Sequence, residues 1–325
     1  MDFLKNIFGS RQRGRAHQPQ PEPEVEKQPE EPEPQDENQE ENSYSDIIYE
    51  NSWRKYGSLE GEWDKKYSDT LLDEIEKTTA KLNPGKLNIM MIGQVQSGKS
   101  STINSFFSIT EERIASRAKV GKSEASYSLD LHVIPGEGKL QHIVFHDVMG
   151  IELGEKQGVH IDDISSAVNG QLKPGYKFNP MAPANVQGTE VDESLMIHCV
   201  IYIVDAENIF SETVQSFQTK IKDLENKLKI GSNRMVIVTK IDNISNIVKD
   251  DITKIFKSEN IERVVESAKN TFGVPKNYVF PVKNYTDEAE IEHFKNIPLL
   301  LALRQATYFG ADYMRGKKVD NQKKS

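Results

Sequence analysis

Eight consecutive residues, Gly93-Gln94-Val95-Gln96-Ser97-Gly98-Lys99-Ser100, fit the spacing G-x-x-x-x-G-K-[ST]. This spacing suits a polyphosphate. A loop rich in amide N–H groups curls around the phosphate oxygens, and the helix that follows adds the positive end of its dipole. Lys99 would bridge the outer phosphates and the Ser100 hydroxyl would ligate Mg²⁺. Gly93, Ser97, Gly98 and Ser101 complete the expected cradle.

Two further motifs follow in order. Asp147-Val148-Met149-Gly150 comes after the apolar run "IVFHD". An Asp at the carboxyl end of a strand can hold Mg²⁺ through a water, and Gly150 can offer its N–H to a γ-phosphate. Ser100 and Asp147 are therefore the expected metal residues. Thr239-Lys240-Ile241-Asp242 closes the run "MVIVTK". A carboxylate at Asp242 accepts from both the ring N–H and the exocyclic amine of guanine, a donor pair that adenine does not offer. The stem of Lys240 can lie along the purine face. The loop after "NYVFPV" should cover the base, through Val282, Lys283 and Asn284. The letters Ser267-Ala268-Lys269 match a common guanine contact but fall in a helical pattern before that strand, and they are set aside. Gly121-Lys122-Ser123 repeats the end of the phosphate loop without its first glycine or a preceding strand, and it reads as a loop.

These residues need elements to position them. "KLNIMMIG", "MIHCVIYIVDA" and "NRMVIVTK" read as buried strands, and "SYSLDLHVIP" and "LQHIVFHD" as alternating strands joined by a turn at "PGEG". Helical patterns occupy "KSSTINSFFSI", "SETVQSFQTKIKDLENKL", Ile247 to Phe256, Ile261 to Phe272 and "IPLLLALRQATYFGADYM". Alternation of this kind predicts an α/β, doubly wound, mostly parallel sheet with one antiparallel hairpin. Ligands of such sheets collect at the carboxyl ends of the strands. Residues 87–310 form the expected nucleotide domain. Residues 45–86 form a lead-in that packs on it, with a helix over "YSDTLLDEIEKTTAKL" capped by Ser68 or Asp69, and with Trp53 and Trp63 as core anchors. Residues 311–325 read as a basic, disordered tail.

The composition narrows the classes. Residues 21–41 hold ten acidic groups against one Lys, a net charge of -9 equal to that of the whole chain. Residues 1–44 thus read as a disordered, Pro/Glu-rich acidic segment. Residues 42–325 net only -3, which provides no basic face for nucleic acid. The lone Cys199 lies in a buried run and cannot build a disulfide framework, so a reducing, cytoplasmic compartment is expected. No stretch approaches the roughly 18 apolar residues that cross a bilayer. The N-terminal "MDFLKNIF" offers too little apolar surface to hold a membrane.

With three motifs in this order the chain resembles a Ras-type P-loop GTPase domain and, more closely, the interferon-induced protein 44 family. The resemblance runs through "NSWRKYGSLEGEW", "GQVQSGKSS", "HDVMG", "HIDDI", "GYKFNP", "IHCVIYIVDA", "VTKID" and "LLLALRQ", over about residues 50–310. It implies a GTP-binding module of an interferon-induced, antiviral-response protein of the cytoplasm. Longer members carry an additional N-terminal domain, and this chain has the acidic segment in its place.

Binding does not by itself imply turnover. Ile151 stands where hydrolysing sites often place a water-orienting Gln, and no Thr lies between Thr110 and Thr189 to close over Mg²⁺. A Ser such as Ser126 or Ser128 would have to serve instead, and His146, Glu152 and His160 are the nearest groups for water. The 45 residues between Gly150 and Met196 are long for a connection and are expected to form a lid or partner surface. Three readings stay open: a slow GTPase, a GTP-binding interaction module without hydrolysis, and a P-loop ATPase. GTP or GDP with Mg²⁺ are the expected cofactors. The expected partners are unidentified proteins, with nucleotide-dependent self-association among the options.

Overall fold

The computed structural model describes residues 46–55, 63–82, 85–119, 130–148, 159–179, 181–228 and 233–322. The chain divides into two units, Met1–Ser43 and Tyr44–Ser325, and all described residues belong to the second. The acidic segment, Gly121 to Ser123, Ser126, Ser128, Gly150, Ile151 and Glu152 lie outside them.

Chain order is α1 (Lys65–Ala80), β1 (Leu87–Gly93), α2 (Lys99–Glu111), β2 (His132–Pro135), β3 (Ile143–Asp147), α3 (Ile161–Val168), β4 (Cys199–Asp205), α4 (Glu212–Lys227), β5 (Arg234–Thr239), α5 (Asn246–Asp250), α6 (Glu259–Phe272), β6 (Val279–Pro281) and α7 (His293–Gln322). The six strands form one sheet in the order β2-β3-β1-β4-β5-β6. β2 runs antiparallel to β3, and every other pair is parallel. This is the α/β, doubly wound, mostly parallel sheet with one antiparallel hairpin that the alternation predicts.

The central strands are apolar on both sides because helices cover both faces. Met90, Ile92, Val200, Tyr202, Val236 and Val238 meet α3, α4 and α6 on one face. Ile89, Met91, Ile201, Ile203 and Ile237 alternate with them and meet α1, α2 and α7 on the other.

Several boundaries differ from expectation. Helix α1 starts a turn early, because the Asp64 carboxylate accepts from Tyr67 N at 2.8 Å, while Ser68 is buried inside the helix. The helix expected over Ile247 to Phe256 breaks at Asp251, whose extended backbone and side chain start a separate 3₁₀ turn at Ile252–Lys254. Asp251 Oδ1 accepts from Thr253 N at 3.0 Å and from Thr253 Oγ1 at 2.6 Å, the local competition that ends helices at Asp. The β2–β3 connection is longer than "PGEG", since a 3₁₀ turn at Gly138–Leu140 is inserted in it. Part of the segment expected as a lid or partner surface belongs to the core, whereas residues 181–195 are exposed or half-buried. Ile164, Ala167, Val168, Leu172, Phe178 and Ile197 are buried, and Asp163 Oδ1 accepts from Ala184 N at 2.6 Å.

The basic end, expected as a disordered tail, is helical through Gln322. It continues α7, which lies directly on β1 at Gly310, where a Cβ would meet Leu87 Cδ1 at 1.9 Å, and Ala311 and Met314 extend the contact with the core. The first part of the lead-in, residues 46–55, lies on the β6 side of the domain. Ile48 bridges Ser258, Trp53 packs edge-on against Phe256 at 5.3 Å between centroids, and the Arg54 guanidinium donates to the Val279 carbonyl at 2.5 Å.

At the start of β1, Asn88 Nδ2 donates to the carbonyls of Ser194 (2.8 Å) and Met196 (2.9 Å), and Asn88 N donates to His198 Nδ1 (2.9 Å). Burial, aided by Lys317, pulls the His198 imidazole down to about 4. The folded state thus binds its proton less readily than the unfolded chain, whose imidazole titrates near 6.5. This stability is fully present above pH 6.5 and is lost as pH falls from 6.5 toward 4.

Urea unfolding should therefore lose on the order of 3 kcal/mol through this group over that window. His198→Asn should flatten the slope, and an unchanged slope would refute the assignment. In α7, Gly310→Ala should destabilise by about 1–3 kcal/mol through overpacking on Leu87. Gly316→Ala, where a Cβ meets open space, should stabilise by about 0.5–1 kcal/mol. Equal midpoints for the two variants in urea would contradict the close approach of α7 to β1.

Candidate functional site

Strands β1, β3, β4, β5 and β6 all end on one side of the domain, and the predicted residues gather there. After Gly93 the loop turns through two left-handed residues, Gln96 (φ 62°) and Gly98 (φ 95°), before α2 begins at Lys99. Gly98 supplies no side-chain cap, so the N–H groups of the first turn of α2 face the loop unblocked by a side chain. Successive amides in such a mixed left- and right-handed turn form an anion-binding concavity.

Lys99 is buried. Its ammonium donates to the Gly93 carbonyl at 3.1 Å and the Gln94 carbonyl at 2.7 Å. Desolvation pulls its pKa down to about 8, with the Asp147 carboxylate acting against the shift. Ser100 Oγ donates to Asp147 Oδ2 at 2.6 Å. Burial raises the Asp147 carboxyl above its ordinary range, while Lys99 and the Ser100 hydroxyl pull it back. Two hard oxygen donors thus converge between β3 and α2. A hydroxyl and a carboxylate at this spacing fit Mg²⁺, which takes one or two protein oxygens and completes its shell with phosphate and water.

The fit to a phosphate-bearing ligand rests on separate atoms. Of these, the Ser97 hydroxyl can donate to a phosphate oxygen, while the Asn284 amide oxygen can only accept, as from an N–H of the ligand. Ser97 Oγ and Asn284 Oδ1 are buried polar atoms without a hydrogen-bond partner, and both belong to residues of this cradle. Asn284 Nδ2 donates to Thr102 Oγ1 at 3.0 Å and to the Gly98 carbonyl at 3.4 Å. The loop after β6 therefore lies against the phosphate loop. Tyr285 N donates to Ser105 Oγ at 3.0 Å, and the Tyr285 hydroxyl donates to Asn296 Oδ1 at 2.6 Å.

Thr239 is fully buried. Its hydroxyl donates to the Ser97 carbonyl at 2.6 Å, so this residue supports the phosphate loop. Lys240 has φ 55°, and its ammonium pairs with Asp205 at the end of β4. Asp242 Oδ2 stands 3.5 Å from Lys283 Nζ. Ser101 lies in the first turn of α2, where its carbonyl accepts from Ser105 Oγ at 2.8 Å.

Other expectations separate from the site. Ser267 to Lys269 lie within α6, where Ala268 is buried and Lys269 pairs with Glu266 at 2.8 Å. His146 Nε2 donates to Asn88 Oδ1 at 3.2 Å, toward the opposite end of the sheet. Burial, followed by His198, brings its pKa to about 4, so it stays neutral. His160 caps α3 by accepting from Asp162 N at 3.2 Å.

Sequence reading overlooked Asp205, Glu207, Thr102 and Ser105. Asp205 did have a signal. It closes an apolar run, as Asp147 does after "IVFH". Thr102 and Ser105 are ordinary helix letters, and only the chain folding back from β6 gives them a role.

No protein-family model matches the chain. Over 240 residues, covering 70% of this chain and 52% of the relative, it is 27% identical to interferon-induced protein 44-like from Homo sapiens. Over 233 residues, covering 70% and 55%, it is 27% identical to interferon-induced protein 44 from Mus musculus. The chain thus spans about half the length of the curated relatives it matches. Among solved structures, Toc33 from Arabidopsis thaliana in complex with GDP and Mg²⁺ superposes with a TM-score of 0.43 at 12% identity, covering 76% of this chain and 97% of that one. The resemblance to the interferon-induced protein 44 family that the motifs suggested thus extends over most of the folded chain.

Proposed function

We propose that this domain is a guanine-nucleotide-binding module that takes GTP and GDP together with Mg²⁺. Gly93, Ser97, Gly98, Lys99, Ser100 and Ser101 would hold the phosphates. Ser100 and Asp147 would hold the metal, which supplies charge neutralisation on the phosphate oxygens when bound. Asp242 reads the base edge, with Lys240 and Lys283 beside it. The observation that carries this reading is the 2.6 Å bond from Thr239 Oγ1 to the Ser97 carbonyl. It joins the head of the base-reading turn to the phosphate loop, so one ligand bearing phosphates and a purine can engage both.

Slow hydrolysis is the finer part of the proposal. His146 and His160 are engaged elsewhere, and an Ile at 151 cannot orient water. The same observation favours a second reading, in which bound nucleotide mainly stabilises one shape that partners or a second copy recognise. The names of the relatives support a role for such a module in the interferon response, and with the family resemblance an antiviral role in the cytoplasm is proposed. Among the described residues no helix is long and apolar enough to cross a membrane.

Nucleotide affinity tests the site. Wild type should bind GDP and GTP well ahead of ATP, and Lys99→Ala should weaken both by at least about 100-fold while keeping the circular dichroism of the folded domain. Asp242→Asn should bring GTP and ATP closer together. Unchanged GTP affinity in Lys99→Ala would overturn the assignment, and equal affinity for ATP and GTP in wild type would favour an ATPase. Phosphate release from GTP should run on the order of 10⁻⁴ s⁻¹, the scale of an unassisted site. Release no faster than buffer, with measurable GTP affinity, would leave the binding module and remove the enzyme.

A further inference from the structure

Reading a base with Asp242 requires the turn that bears it to hold one shape, and that turn is not locally relaxed. Lys240 adopts a left-handed backbone, φ 55°, without being glycine. Such a residue persists only where its surroundings over-determine it. The surroundings are supplied by residues 205–207, which leave the end of β4.

Three links join the two segments. Ala206 N donates to the Thr239 carbonyl at 3.0 Å. The Lys240 ammonium pairs with Asp205 Oδ2. Asn243 Nδ2 donates to Glu207 Oε2 at 2.7 Å. These contacts fall at 239, 240 and 243, so they bracket Asp242 on both sides. The parallel pairing of β4 with β5 makes this reach feasible, because its register sets Asp205 directly opposite Thr239.

Asp205 is itself held in place. Its side chain is 6% exposed against 39% for Lys240, and its other oxygen accepts from Glu207 N at 2.9 Å. A buried carboxylate gains little net stability from a half-exposed lysine, because desolvation offsets the attraction. What the pair does achieve is to hold a long, flexible side chain in one geometry. The stem of Lys240 is the part that a purine face can lie upon.

We propose that Asp205 and Glu207 are positioning residues for guanine recognition. Asp205 holds Lys240 as the platform for the purine face, and Glu207 sets the Asp242 edge through Asn243. The inference rests on the guanine reading of Asp242 given above. The two residues have different jobs, which separates their signatures. The platform serves any purine, whereas the edge distinguishes guanine from hypoxanthine, which lacks the exocyclic amine.

Isothermal titration with GDP, IDP and inorganic tripolyphosphate tests both. Asp205→Asn and Lys240→Met should each weaken GDP and IDP alike, by about tenfold, and the double variant should bind no more weakly than either single one. Tripolyphosphate affinity should stay within about twofold, since the phosphate loop keeps its own bonds. Glu207→Ala should compress the preference for GDP over IDP by about fivefold.

GDP binding by Asp205→Asn equal to wild type would overturn the platform role. A proportional loss of tripolyphosphate would also overturn it, by showing a general structural defect. An unchanged GDP-to-IDP ratio in Glu207→Ala would overturn the edge role. Failure of wild type to bind GDP, with tripolyphosphate still bound, would instead bring down the guanine reading itself.

Discussion

A methyl group on Gly93 would lie 2.2 Å from the Ile203 carbonyl oxygen and 2.7 Å from Ser97 Oγ. The central strand therefore leaves the sheet pressed against β4, and the chain that follows folds straight back over its own end. This close passage brings the Ser97 carbonyl to Thr239 and the Lys99 ammonium to the Gly93 and Gln94 carbonyls. Any side chain at 93 would push the loop away from β4 and break these bonds together. The phosphate cradle is thus a consequence of how tightly β1 and β4 pack.

Around that passage lie buried charge and unmatched polarity. Lys99, Asp147 and Asp205 are all buried at the carboxyl ends of the strands. Many of the other ion pairs, such as Lys65–Glu112 and Arg315–Asp312, lie on the surface, where they are worth little. Ser97 Oγ and Asn284 Oδ1 are left without partners in the same place. Unmatched buried groups are costly in a folded chain. Their clustering at one loop is what a site for a charged, hydrogen-bonding ligand requires.

The opposite end of the domain serves stability. Asn88, His146 and His198 knit β1, β3 and β4 together, and α7 seals the face alongside α1. The residues before α1 fasten the β6 side through Asp46, whose carboxylate accepts from Ser258 Oγ at 2.8 Å, and through Arg54 on the Val279 carbonyl. With β6 anchored, the loop that follows it can hold Lys283 against Asp242 and Asn284 against Gly98.

The sequence by itself determined the features whose cause is local or periodic. β1, β4 and β5 are legible as apolar runs because both their faces are buried, and the phosphate loop is legible because its glycines and Lys stand at fixed offsets. Gly93, Gly98, Lys99, Ser100, Asp147 and Asp242 follow from those two signals, each at the end of a strand or the start of a helix.

What only the tertiary structure decided depends on chain segments far apart in sequence. Helix α7 runs on into the basic end and is seated by Gly310 on Leu87, more than two hundred residues away. Lys240 meets Asp205 because parallel pairing aligns the ends of β4 and β5. Thr239 turns to the phosphate loop for the same reason. Motif spacing names the residues that could touch a ligand, while strand register and close packing settle which of them support one another.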